Sequence, residues 1–146
     1  YLGHEPLLYE DLRGRENLEF QARLYGLARD EASDRIDRDL EILGMRRRAE
    51  YRVSDYSAGM KQRIAICRAV LHRPSILLLD EPDSNLDPDG REAAKNLIGR
   101  NDQLAWQADS PVTRVAVSHE PEKARAEADQ VLELAIGGTP VAEARA

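Results

Sequence analysis

From Met60 to Leu71 the apolar residues Ile64, Ile66, Val70 and Leu71 alternate with Lys61, Arg63 and Arg68. That spacing predicts an amphipathic helix opened by Ser57 as its N-cap. His72-Arg73-Pro74 ends it, because proline cannot continue the hydrogen-bond ladder. The run "ILLLD", residues 76–80, follows with no polar gap, which predicts a parallel strand covered on both faces. Upstream, "RENLEFQARLYGL" predicts a helix with Leu18, Phe20, Ala22, Leu24 and Leu27 as its apolar positions. "DEASDRIDRDLEILGM" predicts another, with Ile36, Leu40 and Leu43 as its stripe and Gly44 as its stop. "YLGHEPLLY" reads as a strand end running into a loop, since Pro6 forbids regular pairing around it.

Downstream the order is strand, helix, strand, helix, strand: "ILLLD", "PDGREAAKNLIGR", "VTRVAVSH", "EPEKARAEAD" and "QVLELA". That alternation predicts an α/β unit with a parallel sheet over about residues 74–136, preceded by a helical subdomain over about 10–72. Residues 137–146, "GGTPVAEARA", are expected to be a frayed tail. The first residue is tyrosine, and no start-like segment precedes the first elements. The chain is therefore expected to be a piece of a longer protein.

Composition narrows the picture. The formal charge of −6 argues against tight non-specific nucleic-acid binding, which needs clustered Lys and Arg. The one cysteine, Cys67, excludes an internal disulfide framework and a zinc-finger cluster. Its place inside a helical pattern predicts a reduced core thiol. No stretch approaches the ~18 consecutive apolar residues that cross a bilayer.

Four places carry candidate chemistry. Asp80 and Glu81 end an apolar strand, at the edge where open α/β sheets bind ligands. One carboxylate could hold hydrated Mg²⁺ while the other orients a water; the same residues alone also read as a solvated acidic turn. Ser57-Ala58-Gly59 opens a helix and offers unpaired N–H groups and the positive dipole end to an anion, or serves only as an ordinary cap. Asp87 lies in the turn-rich "SNLDPDG", and His119 ends the strand "VAVSH", where a lone histidine is also a structural residue.

In this order, the motifs resemble those of the ATP-binding-cassette (ABC) ATPases. "YSAGMKQR" resembles the family's signature motif, usually LSGGQ, with Tyr56, Ala58 and Met60 replacing the commoner residues. "ILLLDEP" resembles the Walker B strand, "SNLDP" the D-loop, "VSHEPEKA" the switch-histidine motif and "GHEPLLYEDL" the Q-loop, where His4 falls at the usual glutamine. "GHEP" with "ARLYGL" is similar to the subfamily that exports haem. Nothing matches G-x-x-x-x-G-K-[ST], the phosphate-cradling loop that the family carries upstream of the Q-loop.

The resemblance implies the C-terminal two-thirds of a nucleotide-binding domain: part of a P-loop NTPase (RecA-like) sheet with an α-helical ABC subdomain. It implies ATP and Mg²⁺ as ligands. Asp80 would anchor the metal, Glu81 would polarise the hydrolytic water, and His119 would contact the γ-phosphate. Ser57, Ala58, Gly59 and Met60 would cover the nucleotide of a second nucleotide-binding domain, with Asp87 at the interface and His4 near metal-bound water. The implied function is ATP hydrolysis driving transport through a transmembrane permease subunit, on the cytoplasmic face of the membrane. The alternatives are an ABC-type ATPase of DNA repair or translation, and a non-catalytic partner that lends only its signature surface.

Overall fold

The structure is a computed structural model that describes residues 1–99, 112–119, 122, 125–126, 128–133 and, for the backbone alone, 141–144. It forms two compact units, Tyr1–Ala116 and Val117–Ala146. In chain order the first unit holds α1 (Gly14–Leu24), α2 (Arg29–Ile42), two short 3-10 turns, α3 (Ala58–Val70), β1 (Ile76–Asp80) and α4 (Pro88–Ile98). Next comes β2 (Thr113–Val117), whose last residue opens the second unit, and then β3 (Gln130–Glu133) and β4 (Val141–Ala144).

Helix α3 is the centre of the first unit. Ser57 caps it as expected, its hydroxyl accepting the Met60 amide at 3.3 Å. It packs against α1, α2 and α4. Gln62, Ile64, Ala65, Ile66, Cys67, Ala69 and Val70 are therefore all buried, so far more than one stripe of this helix is covered. Ile36 and Leu40 of α2, Leu43 beyond it, and Leu77 and Leu79 of β1 complete the core. Cys67 is a buried free thiol, and desolvation pushes its pKa well above the ordinary value of 9.0.

Two expected faces are corrected. On α1, Leu18 and Ala22 are buried while Phe20 and Leu24 are 38% and 65% exposed. Residues two apart on a helix point in nearly opposite directions, so 18 and 22 share a face that 20 and 24 cannot join. Strand β1 is covered on one face only: Leu77 and Leu79 are buried, whereas Ile76 and Leu78 stand 58% and 45% exposed. Among the described residues no element covers that second face.

The sheet begins as expected. Leu2 bridges parallel to Leu79, with the Leu2 amide donating to Leu78 O at 2.9 Å and the Asp80 amide donating to Leu2 O at 2.8 Å. Strand β2 pairs with β1. The Thr113 amide that opens β2 donates to Ser75 O just ahead of β1, so both strands start at one edge and run parallel. The loop after Leu2 is pinned from two sides. Asn17, buried in α1, accepts the Tyr9 amide and donates to the carbonyls of Tyr9 and Arg13. From α3, Arg68 donates to Leu7 O and Lys61 pairs with Glu10.

In the second unit β3 and β4 pair antiparallel, Gln130 opposite Ala144. Residues 141–144 are thus a strand and not part of a frayed tail. Its signal in the sequence is faint, since Val141 is the one β-branched residue in "VAEA". Of the helix expected over 120–129, Glu122, Arg125 and Ala126 are helical and most of the rest lies outside the described residues, as do Arg100 and residues 134–135. No described helix is long and apolar enough to cross a membrane.

The α1 correction can be tested directly. Leu18→Ala should cost about 3 kcal/mol in urea denaturation, as buried leucine truncations do. Leu24→Ala should stay within about 0.5 kcal/mol. Equal losses at the two positions would contradict this helical face.

Candidate functional site

The parallel register assembles the site. Leu2 lies opposite Leu79, so two residues farther along each chain His4 comes beside Glu81. His4 Nδ1 stands 3.9 Å from Glu81 Oε2, an ion-pair distance when the imidazole carries a proton and too long for a hydrogen bond. Asp80 closes β1 and Glu81 follows in a left-handed conformation, φ 48°. Such a conformation is strained for a non-glycine residue and turns the chain sharply after the strand. Both carboxylates are half-buried at the strand's carboxyl edge, where the sequence puts them.

The loop from Glu81 to Asp87 folds back onto α3. The Ser84 amide donates to Glu81 O at 3.0 Å, and Asn85 takes a second left-handed turn at φ 63°. This brings the Asn85 carbonyl over the first turn of α3. A Cβ built on Gly59 would lie 2.7 Å from Asn85 O, closer than such contacts occur. Gly59 is therefore required by its own chain's backbone as well as suited to a phosphate. The side chain of Gln62, 1% exposed, reaches the same loop, donating to Pro82 O at 3.1 Å.

Asp87 caps α4, its Oδ1 accepting the Gly90 amide at 3.0 Å and the Arg63 guanidinium at 2.5 Å. The Arg63 hydrogen bond first, then the Gly90 amide, holds the Asp87 carboxyl below the ordinary 3.8. Because the folded value is depressed, the stability tied to this carboxylate is present above the ordinary value and lost as pH falls through the folded one.

Ser57 and Ala58 are exposed, Gly59 and Met60 half-buried, and no acidic residue lies in the first turn of α3. The helix thus presents amide groups and a positive dipole end with no carboxylate of its own to oppose an anion. His119 is exposed just past β2 and belongs to the second unit. Among the described residues no cluster of three or more His, Cys, Asp or Glu could cage a metal. A Mg²⁺ ion needs no such cage: it keeps several waters and takes one or two carboxylates plus phosphate oxygens, a demand that Asp80 at the strand end fits.

Sequence reasoning passed over Gln62, Arg63 and Asn17. For Gln62 the signal was present, a polar residue three and four positions before the buried Ala65 and Ile66. Asn17 likewise shares the buried face of Gly14 and Leu18.

The chain is similar to known proteins in sequence and in fold. The family described as ABC transporter matches residues 1–84, more than half of the chain. The ABC transporter ATP-binding protein YxlF of Bacillus subtilis is 43% identical over 91 residues, which is 62% of this chain and 31% of that protein. The bacitracin transport ATP-binding protein BcrA of Bacillus licheniformis is 42% identical over 64% of this chain and 29% of its own length. The solved ATP-binding subunit of an ABC transporter superposes with a TM-score of 0.77 at 30% identity, over 90% of this chain and 52% of that one. The dimeric ATP-binding cassette MJ0796, in a post-hydrolysis state with ADP and phosphate, gives 0.78 at 25% identity, over 98% and 61%. The chain belongs to the ABC transporter family, and its fold is that of the family's ATPase domains. The aligned part spans about a third of the length of these two curated relatives.

Two substitutions separate the cap from the backbone contact. Ser57→Ala should cost about 1 kcal/mol in denaturant unfolding, as lost N-caps do. Gly59→Ala should cost about 1–3 kcal/mol, because the Asn85 carbonyl must give way. A Gly59→Ala protein as stable as the parent would contradict the contact.

Proposed function

We propose that this chain belongs to an ATP-binding and ATP-hydrolysing subunit that powers an ABC transporter. The observation that carries the reading is the register of Leu2 with Leu79, which sets His4 against Glu81 beside Asp80 while Gly59 sits under Asn85. Glu81 Oε accepts the proton of the attacking water, held at the edge of the sheet by the strained turn. His4 orients that water from the opposite strand, in place of the family's usual amide. Asp80 would hold the hydrated Mg²⁺, whose charge offsets that of the phosphates. His119 donates to the γ-phosphate.

The amide end of α3, from Ser57 to Met60, covers the γ-phosphate bound by a second nucleotide-binding domain, and Asp87 faces that domain. The dimer with ADP and phosphate among the solved structures supports this pairing. Residues 1–146 contain no G-x-x-x-x-G-K-[ST] loop. Productive binding therefore needs that loop from a longer form of this chain or from another polypeptide. The membrane partner is a transmembrane permease subunit, which this chain meets from the cytoplasmic face. It meets the loop at Leu7 and Tyr9, both well exposed beside Phe20 and Leu24. "GHEP" and "ARLYGL" support a place near the haem-exporting subfamily.

In the full-length protein, Glu81→Gln should lower steady-state MgATP turnover at least about a hundredfold while ATP binding persists, since the amide keeps the shape but accepts no proton. Turnover within a few-fold of the parent would remove Glu81 from its role. Residues 1–146 alone should show no micromolar MgATP binding in calorimetry, because most of the phosphate donors of a P-loop site are absent. With Ile76 and Leu78 exposed on one face of β1, they should also self-associate in sedimentation. A monomer that binds MgATP tightly would reveal a different phosphate site.

A further inference from the structure

We infer that Arg63 is a positioning residue of the hydrolytic reaction, a two-armed brace that sets Asp87 from the end of α2. Its Nη1 donates to Leu43 O at 3.0 Å, and its Nη2 donates to Asp87 Oδ1 at 2.5 Å. Leu43 is the C-cap of α2 and Asp87 the N-cap of α4, so one guanidinium joins the carbonyl end of one helix to the capping carboxylate of another. Both acceptors are of the sign that a cation complements. The planar fork of arginine spans two acceptors at once, which the single ammonium of lysine does not.

Ordinary exposed ion pairs contribute little because two free side chains must be ordered. Here the Arg63 side chain is only 20% exposed and already held by Leu43, so Asp87, at 60%, meets a fixed donor. Gly90 completes the fit. A Cβ there would lie 2.5 Å from Asp87 Oδ1 and 2.7 Å from Arg63 Nη2, so the pair occupies the space a side chain would need. Arg63 and the Gly90 amide both use Oδ1.

The inference rests on the proposed ATPase function, with Asp87 at the interface between two nucleotide-binding domains. Any shift of α2 against α4 then moves the Asp87 carboxylate through Arg63, without Arg63 touching nucleotide.

The test is a double-mutant cycle in the full-length protein, with kcat and KM for MgATP measured on samples matched for folded fraction by circular dichroism. Arg63→Met should lower kcat about tenfold, the loss expected when a charged hydrogen bond no longer fixes its acceptor, and leave KM within about twofold. In an Asp87→Ala background the same change should lower kcat less than about twofold, because the target of the brace is already gone. Gly90→Ala, which keeps both charges but displaces them, should lower kcat in the same direction as Arg63→Met. Losses that multiply in the double variant, or an Arg63→Met protein that melts earlier with unchanged kcat, would overturn the inference alone. A full-length parent that hydrolyses no MgATP would overturn the functional reading beneath it as well.

Discussion

The burial of α3 on nearly every side is the constraint on which the rest of this chain depends. A helix packed against α1, α2 and α4 has little freedom to slide or rotate. Its first turn is consequently held at a set height above the sheet edge. The long polar residues of α3 then become ties: Lys61 to Glu10, Gln62 to Pro82, Arg63 to Leu43 and Asp87, Arg68 to Leu7. The two candidate ligand surfaces, the acidic strand end and the helix terminus, are adjacent because one buried helix locates both.

The strand end obeys a second, simpler rule. Two backbone hydrogen bonds set Leu2 against Leu79, and arithmetic along two parallel chains does the remainder, carrying His4 to Glu81. Side-chain chemistry is not needed to bring this histidine and carboxylate together. It is needed on the other side of the loop, where Asn17 spends all three of its hydrogen bonds on the backbone of Tyr9 and Arg13. The segment from Leu2 to Arg13 is therefore anchored at the sheet and again at the helices, with exposed Leu7 and Tyr9 between the anchors.

What could be read from the residues was what local periodicity and end signals encode. The cap at Ser57, the stripe of Ile36 and Leu40, and the strand ending at Asp80 all announced themselves within a few positions. The face of α1 did not, because Leu18, Phe20, Ala22 and Leu24 recur every two residues and only three-dimensional packing decides which pair is buried. Two-sided cover for β1 was inferred from an unbroken apolar run, yet such a run states only what the strand tolerates on each face. Gln62 and Arg63 look like ordinary polar positions of an amphipathic helix until their partners, 20 and 24 residues away, are known. Strand β4 depends on pairing to β3, which neither segment's composition reveals.

The contact at Gly59 has a mechanical meaning. It is made between main-chain atoms, the Asn85 carbonyl on the bare backbone of α3, so no rotamer can lengthen it and no side chain can cushion it. A joint of this kind has no play. The acidic loop and the helix terminus are left no room for a side chain between them. Sequence drift then has room beside the joint and none within it, as Ala58 and Met60 illustrate by standing where the signature usually has other residues.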